Sequence, residues 1–427
     1  MMTEVDYIIL PEESQNENEG EIYSDTINRP KIYFSFFLIG IGMLLPWNFF
    51  INADQYFKSK LKNNESDLKL FESAFSICSQ IPCGIALIIN LCLTNRVSRN
   101  GRVISTLILS TICFIVTTVL VNVDTSAWTD KFFYITLGCI VIINICSGIY
   151  QGTIFGITGA IGPRYIQASI TGVSFAGLFA SITDIISIAI GNDIQIDATV
   201  YFTIASLILC SCIVAYVYVS KTPFVVHKLD GKSEMKEIPS SDQEIGVFTR
   251  ISMVVKMIYP LALSVTSLYT ITIGLMPAIL CDIKSVDSDN GSAITNKYFS
   301  ALTGFLIFNV GDLSGRVVSG NVVLVGKKGP WLPLLCFSRI LFIPLFGLCN
   351  YQPRRYFPVV FSNDLYPILF NVFFAFSNGY LTSLCMMYGP QLVEPNLMET
   401  AGATMQLFLN IGTGLGAVLS IILVKFI

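Results

Sequence analysis

Residues 132–160 read FFYITLGCIVIINICSGIYQGTIFGITGA and contain no charged residue. A helix of about 20 apolar residues crosses the roughly 30 Å hydrocarbon core of a bilayer, so this run is long enough to span a membrane. The whole chain has the same character, because 53% of its 427 residues are hydrophobic and only 13% are charged. Soluble domains carry about 25% charged residues. The mean hydropathy of +0.66 therefore predicts an integral membrane protein, which exposes apolar side chains to lipid.

Further apolar runs resemble this one in length and composition. Backbone polar groups inside a bilayer must be satisfied within the protein, which makes helices the expected structure for such runs. The sequence therefore predicts an all-α membrane protein with eleven transmembrane helices, at 31–52, 70–94, 102–123, 132–160, 166–191, 199–219, 252–280, 297–324, 330–350, 364–389 and 401–426.

Two polar stretches divide the chain. Residues 1–30 are acidic and lack the basic start and the cleavage site of a signal peptide, so we expect a disordered cytosolic tail. Residues 220–250 carry charges of both signs, and we expect a cytosolic linker loop there. The linker separates a six-helix bundle at 31–219 from a five-helix bundle at 251–427, which is a common layout for transporters.

The expected orientation follows from two features of the loops. Lys and Arg are more frequent in loops on the cytosolic side, and a cytosolic amino terminus puts Arg96, Arg99 and Arg102 on that side. Two glycosylation sequons, beginning at Asn64 and Asn290, then both lie outside, where they are used. Both features favour a cytosolic amino terminus and an extracellular carboxyl terminus.

The sequence also disfavours several functions. The net charge is −3 without a basic block, which gives no indication of nucleic acid binding. The cysteines lie mostly in apolar runs without the spacing of metal ligands, and His227 is the only histidine. No phosphate-binding loop is present, so ATP-driven pumping is unsupported. We expect no cofactor and no enzymatic activity.

The eighth predicted helix contains the most informative polar residues, in the stretch NVGDLSGR at 309–316. Asp312 and Arg316 are four residues apart, so they share a helical face and are able to pair. Asn309 lies three residues before Asp312 on that face. A charge at the bilayer centre costs several kcal/mol, so this face must contact a partner or a cavity. Three interpretations are open: an internal ion pair that locks two helices, a substrate-binding wall, and a gate between states.

Other polar or aromatic residues lie within the predicted helices. Trp47 offers a flat surface for an aromatic ring, and the alternative is a place in the aromatic belt at the membrane interface. Asn48 beside it is harder to place in lipid. Gln80 and Gln151 either contact a polar solute or form interhelical hydrogen bonds. Asp184 in the fifth helix is explained by water near the outer end of that helix, and a proton-coupling acid is the alternative.

At these positions the sequence resembles the equilibrative nucleoside transporter family. The resemblance runs over nearly all of the predicted helices, and its segments are long and keep their order. They are GMLLPWNFF at 42–50, QGTIFG at 151–156, Asn309 with Asp312 and Gly315-Arg316, FSNGY at 376–380, Gly389-Pro390, and ETAGA at 399–403.

The resemblance implies a fold like the major facilitator type, with bundles of six and five helices around a central cavity. It implies facilitated, bidirectional transport of nucleosides such as adenosine, inosine and uridine, and sometimes of nucleobases, by alternating access. We expect the protein in the plasma membrane, in contact with lipid and without an obligate protein partner.

The resemblance also implies roles for individual residues. Trp47, with Leu44 beside it, lines the base end of the site, and Gln151 hydrogen-bonds a purine. Asp312 and Arg316 contact the ribose side. The other candidates for the substrate-binding site are Asn48, Gln80, Met276, Phe305 and Asn309.

Three features leave details of the transport open. Gln80 stands where many relatives have methionine, which makes the expected cavity more polar. Ser147 stands where relatives sensitive to nitrobenzylthio-purine inhibitors carry glycine, so we expect weak sensitivity to these inhibitors. Coupling to a proton through Asp184 or Asp312 is the alternative to transport driven by the solute gradient alone.

Overall fold

The computed structural model describes residues 19–61, 65–94, 96–190, 193–234, 246–286, 292–296, 298–327, 329–354, 356 and 358–427. Within these ranges the regular structure is helical, apart from one isolated bridge between Ile283 and Tyr351. Ten helices are long and apolar enough to cross a membrane, and one further apolar helix is shorter. The predicted all-α membrane fold is confirmed, and the predicted count of eleven agrees with these ten helices and the shorter one.

We number these eleven helices α1 to α11 in chain order. Their bounds are Glu19–Asn52 (α1), Glu65–Leu93 (α2), Arg99–Asn122 (α3), Thr129–Ile161 (α4), Pro163–Ile190 (α5), Ile194–Lys221 (α6), Val247–Leu275 (α7), Ser300–Ser319 (α8), Trp331–Gly347 (α9), Leu365–Tyr388 (α10) and Met398–Phe426 (α11).

The first helix begins earlier than predicted. It starts at Glu19, whereas the apolar run suggested a start at 31 and a disordered tail at 1–30. Apolar composition marks only the part of a helix that lies in lipid, and glutamate is a good helix former that continues a helix into water. Residues 1–18 of the predicted tail lie outside the described residues.

The region predicted as a linker, 220–250, is partly helical. A short helix spans Pro223–Glu234, and proline suits its first position because the missing N–H would have no partner there. Residues 235–245 lie outside the described residues, and α7 begins at Val247. A second short helix, Asp54–Leu61, follows α1.

The ninth helix is shorter than predicted. It consists of Trp331–Ser338, a 3-10 turn at Arg339–Leu341, and Phe342–Gly347, and it ends before the predicted boundary at 350. Beyond Gly347 the chain leaves the helix, and the carbonyl of Asn350 accepts the N–H of Lys284 at 3.0 Å.

The helices form two groups, α1–α6 and α7–α11. Within the first group α5 packs on α1 and α4 packs on α2; within the second group α11 packs on α7 and α10 packs on α8. Between the groups α4 packs on α11 and α5 packs on α8. We call these two contacts the α4–α11 seam and the α5–α8 seam. The face where α1 begins is the N-terminal face, and the face where α11 ends is the C-terminal face.

Glycines allow the closest helix contacts. Gly379 on α10 lies against the backbone of Asp312 on α8, and Gly402 on α11 lies against the backbone of Phe155 on α4. Small residues let helix backbones approach each other in membranes, where packing replaces the hydrophobic effect as the driving force. The outward surface is apolar, with Val119 58% and Val214 70% exposed, as expected of helices that face lipid.

We predict that Gly379→Val destabilises the protein. A Cβ at this position overlaps the backbone of Asp312, so α8 and α10 must separate. Overpacking of this kind costs about 1–3 kcal/mol or more. Thermal unfolding of purified protein in detergent measures the loss. The matched control is Gly138→Val on α4, where nothing lies within 4 Å of the added Cβ. Equal unfolding temperatures for the two variants would contradict this prediction.

Candidate substrate site

Asp312 and Arg316 form a buried ion pair on α8. The Nε of Arg316 donates to Oδ2 of Asp312 at 2.8 Å, and its Nη2 donates to Oδ1 at 3.4 Å. Each residue is only 4% exposed. Because they are four residues apart, the two side chains project from the same face of the helix. The pairing expected from the sequence is therefore present.

The carboxylate of Asp312 also accepts hydrogen bonds from two further helices. Ser174 Oγ on α5 donates to Oδ2 at 2.6 Å, and Asn378 Nδ2 on α10 donates to Oδ1 at 2.6 Å. Each carboxylate oxygen thus has two donors, which fills the usual capacity of an ionised carboxyl group. A buried charge is destabilising unless it is paired and hydrogen-bonded, so these donors make Asp312 tolerable at this position.

The polar face of α8 lies in the α5–α8 seam. Asn309 Nδ2 donates to Ser181 Oγ at 2.8 Å, and Arg316 Nη1 donates to the carbonyl of Ile170 at 3.2 Å. Gln167 Nε2 donates to the carbonyl of Arg316 at 3.2 Å. These bonds join the two helix groups, so the interpretation as a lock describes the observed state. A binding wall or a gate requires the same bonds to exchange with a solute.

A second buried arginine belongs to this network. Arg339 on α9 is 2% exposed, and its guanidinium donates to the carbonyl of Phe374 at 2.7 Å and to Thr272 Oγ1 at 2.9 Å. Thr272 Oγ1 lies 2.8 Å from Asn378 Oδ1, and Asn378 bonds Asp312. Sequence reasoning missed Arg339, although a charged residue inside the ninth apolar run was a visible signal.

Trp47 packs on another aromatic ring inside α1–α6. Its ring stacks on Phe75 of α2, with 5.0 Å between centroids and 26° between planes. Leu44 and Asn48 on the same helix are partly buried. A cavity of about 30 Å³ beside Trp47 and Ser147 has room for about one water molecule. A base that stacks on Trp47 therefore needs a wider opening than this structure provides.

Gln151 forms the polar centre of the α4–α11 seam. Its Nε2 donates to Ser147 Oγ at 2.7 Å and to the carbonyl of Met43 at 3.4 Å. Its Oε1 accepts a hydrogen bond from Nε2 of Gln406 on α11 at 2.7 Å. Sequence reasoning missed Gln406, for which the only signal was a polar side chain within the last apolar run. The two amides join the helix groups as the carboxylate of Asp312 does in the other seam.

The remaining predicted residues lie in different surroundings. Gln80 on α2 is exposed, one turn before Gly84, which packs against α11. Met276 directly follows α7 and is buried in an apolar cluster near the C-terminal face. Phe305 lies in the π-helical first part of α8, and its carbonyl accepts a hydrogen bond from Asn309 at 3.0 Å. The structure thus joins Phe305 to the α8 network and leaves Met276 in apolar packing.

Three further predicted positions lie at the edge of the helical region or outside the described residues. Asp184 is partly buried within the last two turns of α5, which agrees with a position near the end of that helix. Asn64 and Asn290, at which the two sequons begin, lie outside the described residues.

Ion pairs join the two helix groups at the N-terminal face. Glu399, in the first turn of α11, pairs with Arg99 at 2.8 Å and with Arg102 at 3.4 Å. Arg102 also donates to Asn90 Oδ1 at 2.7 Å and to Thr153 Oγ1 at 3.2 Å. The sequence had indicated Arg99 and Arg102 only as charges that set the orientation. The N-terminal face is closed by these pairs.

The structure also bears on two other kinds of site, a second cavity and a metal centre. A cavity of about 390 Å³ lies at the N-terminal face between the start of α3 and the helix Pro223–Glu234. Arg99 is among its lining residues, and none of the residues predicted to bind substrate is. Among the described residues, no group of three or more His, Cys, Asp or Glu side chains is arranged to hold a metal ion.

The helix arrangement has the fold of major facilitator transporters. The proton:xylose symporter XylE, bound to 6-bromo-6-deoxy-D-glucose, matches with a TM-score of 0.58 and 12% identity over 94% of this chain and 88% of that chain. FucP in the outward conformation matches with a TM-score of 0.56 and 13% identity, over 91% and 89%. At these identities the likeness shows the fold, which is the one expected from the sequence.

The sequence of the chain is similar to one family of transporters. The family described as Nucleoside transporter matches residues 137–425. Equilibrative nucleoside transporter 3 of Rattus norvegicus is 34% identical, over 92% of this chain and 89% of the relative. Equilibrative nucleoside transporters 1 and 2 of Homo sapiens are 34% and 31% identical, over 91% and 90% of this chain and 96% and 95% of the relatives. The chain belongs to the nucleoside transporter family, and the family predicted from its motifs is confirmed.

We predict that Asp312→Ala destabilises the protein more than the loss of the whole pair does. Removing the carboxylate leaves the Arg316 guanidinium buried without its partner, which costs about 3–5 kcal/mol. The double variant Asp312→Ala/Arg316→Met removes both charges of the pair and should unfold at a higher temperature than Asp312→Ala. Thermal unfolding in detergent compares them.

The control for this experiment is Glu394→Ala, which removes an exposed carboxylate between α10 and α11 whose side chain makes no capping hydrogen bond. This variant should unfold at the temperature of the unsubstituted protein. If the double variant is less stable than Asp312→Ala, the unpaired Arg316 is not the cause of the instability, and the prediction is wrong.

Proposed function

We propose that this protein carries out facilitated, bidirectional transport of nucleosides across a membrane by alternating access. Membership of the nucleoside transporter family supports this proposal. The observation that carries it is the hydrogen bond between Ser174 on α5 and Asp312 on α8, at 2.6 Å across the two helix groups. The hydroxyl group of Ser174 donates a hydrogen bond to the carboxylate, and a sugar hydroxyl is the same kind of donor.

The two seams match the two halves of a nucleoside. In the α5–α8 seam, Asp312 accepts from ribose hydroxyls and Arg316 donates to ribose oxygens. In the α4–α11 seam, Gln151 hydrogen-bonds the base, whose flat face stacks on Trp47 with Leu44 beside it. The other proposed contacts with the solute are Asn48, Gln80, Met276, Phe305 and Asn309.

Binding of the ribose couples to movement of the helices. Both oxygens of Asp312 are fully hydrogen-bonded, so a ribose hydroxyl binds only by replacing Ser174 or Asn378. Replacing the bond from Ser174 loosens α5 from α8 at the moment when the solute is bound. A ligand shifts a conformational equilibrium only through such a difference in contacts between the two states.

The opposite state requires separation of the α4–α11 seam. In the present state Glu399 on α11 pairs with Arg99 and Arg102 on α3 at the N-terminal face, and Gln406 bonds Gln151 in the α4–α11 seam. Opening this face breaks the ion pairs of Glu399 and gives the base access to the two amides. The solute gradient is the proposed driving force. Coupling to a proton through Asp184 is not favoured, since the curated relatives are named equilibrative.

The finer features of the proposal follow the sequence. We propose adenosine, inosine and uridine as substrates, with some nucleobases. We propose that the amino terminus is cytosolic and the carboxyl terminus extracellular, that the sequons at Asn64 and Asn290 are outside, and that the protein lies in the plasma membrane.

Transport by the purified protein reconstituted in liposomes tests this function. We expect radiolabelled adenosine to equilibrate across the membrane, to exchange with unlabelled adenosine on the other side, and to show no accumulation when a pH gradient is imposed. Accumulation above equilibrium in a pH gradient would contradict the uniport mechanism. Liposomes that take up no more nucleoside than empty ones would refute the whole proposal.

We predict that Asp312→Asn and Arg316→Lys each lower adenosine uptake at least tenfold. Asparagine exchanges one acceptor oxygen for a donor, and lysine lacks the planar fork that bonds both Asp312 and Ile170. The uptake rate per folded protein, counted by size-exclusion chromatography, measures the effect. Ser187→Ala on α5 is the control, because Ser187 bonds Asp197 near the end of the helix. Normal uptake by both α8 variants would remove this pair from the site.

A further inference from the structure

Gln406 uses only one end of its side-chain amide for hydrogen bonding. It is 4% exposed on α11, and its Nε2 donates to Gln151 Oε1 at 2.7 Å. Its Oε1 is buried and has no hydrogen-bond partner among the described residues. A buried acceptor without a donor is destabilising, and this one lies beside the amide that the proposed function assigns to the base.

The neighbours of Gln151 fix the direction in which both amides face. The carbonyl of Met43 lies 3.4 Å from Gln151 Nε2 and can only accept, so the nitrogen of Gln151 faces Met43 and its oxygen faces Gln406. The nitrogen of Gln406 must then face Gln151. Turning either amide over would bring two acceptors together. The Oε1 of Gln406 is therefore held away from Gln151, as an acceptor that lacks a donor.

We propose that Gln406 is a specificity-determining residue whose Oε1 accepts a hydrogen bond from the exocyclic amine of the transported base. This inference rests on the proposed function, in which Gln151 contacts the base, because an amide bonded to Gln151 reaches the same base. Adenine and cytosine carry an amino group where hypoxanthine and uracil carry a carbonyl oxygen. The site therefore favours adenosine and cytidine over inosine and uridine.

An unpaired amide oxygen is not unique to Gln406, since Asn371 on α10 also has one. The Nδ2 of Asn371 bonds the carbonyls of Thr303 and Gly304 on α8. Gln406 differs from Asn371 because its amide bonds Gln151, the residue assigned to the base.

In the neighbouring α7–α11 contact, Thr266 Oγ1 lies 2.9 Å from the carbonyl of Phe408 and Thr270 Oγ1 lies 3.3 Å from the carbonyl of Gly412. These short side chains bridge the helices and leave no side-chain atom of their own without a partner. Gln406 instead leaves its amide oxygen without a donor, and a ligand that supplies the donor gains one hydrogen bond over a ligand that lacks it.

The test removes the donor of this hydrogen bond from the ligand and the acceptor from the protein. Adenosine and purine riboside differ by the exocyclic amine, and Gln406→Met replaces the amide by an apolar chain of similar size. We expect uptake efficiency for adenosine to exceed that for purine riboside by roughly threefold to tenfold in the unsubstituted protein. We expect this ratio to fall to about one in Gln406→Met, with Gln406→Leu as a second apolar variant. Each ratio is measured within one liposome preparation, so it does not depend on the amount of folded protein.

Thr404→Val is the matched control on α11. Thr404 is buried two residues away, and its hydroxyl bonds only the carbonyl of Thr400 in its own helix, at 2.7 Å. This variant should keep the preference for adenosine. Equal uptake of the two ligands by the unsubstituted protein, or an unchanged ratio in both Gln406 variants, would overturn the inference and leave the proposed function standing. Failure of the unsubstituted protein to move either ligand would refute both.

Discussion

The hydrogen-bond network centred on the carboxylate of Asp312 connects five helices. Ser174 on α5 and Asn378 on α10 bond it directly, and the bond from Asn378 continues through Thr272 on α7 to Arg339 on α9. Hydrocarbon supplies no hydrogen bonds, so a charge at this depth forces the protein to provide them all. The close approach of α10 to α8 at their glycines brings Asn378 within reach. The constraint is strict because each donor comes from a different helix, and moving any of them leaves the charge less well paired.

The two seams between the helix groups use different chemistry. The α5–α8 seam is centred on a charge with a full set of donors, whereas the α4–α11 seam combines an amide pair with ion pairs at the N-terminal face. Both contain polar contacts that a polar solute is able to replace, beside apolar packing that runs from the first helix group into the second. An apolar seam would offer a nucleoside nothing to exchange. A seam that a solute can enter by substituting hydrogen bonds allows binding to shift the relative stability of open and closed states.

Sequence reasoning predicted what local spacing determines. The pair Asp312 and Arg316 follows from the helical repeat, and the helices follow from apolar length. It did not find Ser174 or Gln406, because their partners lie 138 and 255 residues away and nothing in a single sequence links such positions. The predicted helix bounds differ from the structure where helices continue into polar sequence. The first helix α1 extends through polar residues to Glu19, and the loop predicted after α6 begins as a helix. The stacking of Trp47 on Phe75 is a contact between helices that the sequence does not indicate.

The surroundings of Asp312 also bear on the choice between uniport and proton coupling. A protonated carboxyl group needs an acceptor for its proton, yet the guanidinium of Arg316 and the amide nitrogen of Asn378 only donate. Ser174 alone is able to turn and accept, and one such bond does not replace the ion pair with Arg316. A proton carried by Asp312 would thus leave a guanidinium without its counter-charge in a network that already contains Arg339. Exchange of one neutral hydroxyl donor for another preserves the ion pair throughout, which makes a ribose hydroxyl a better match to this site than a proton.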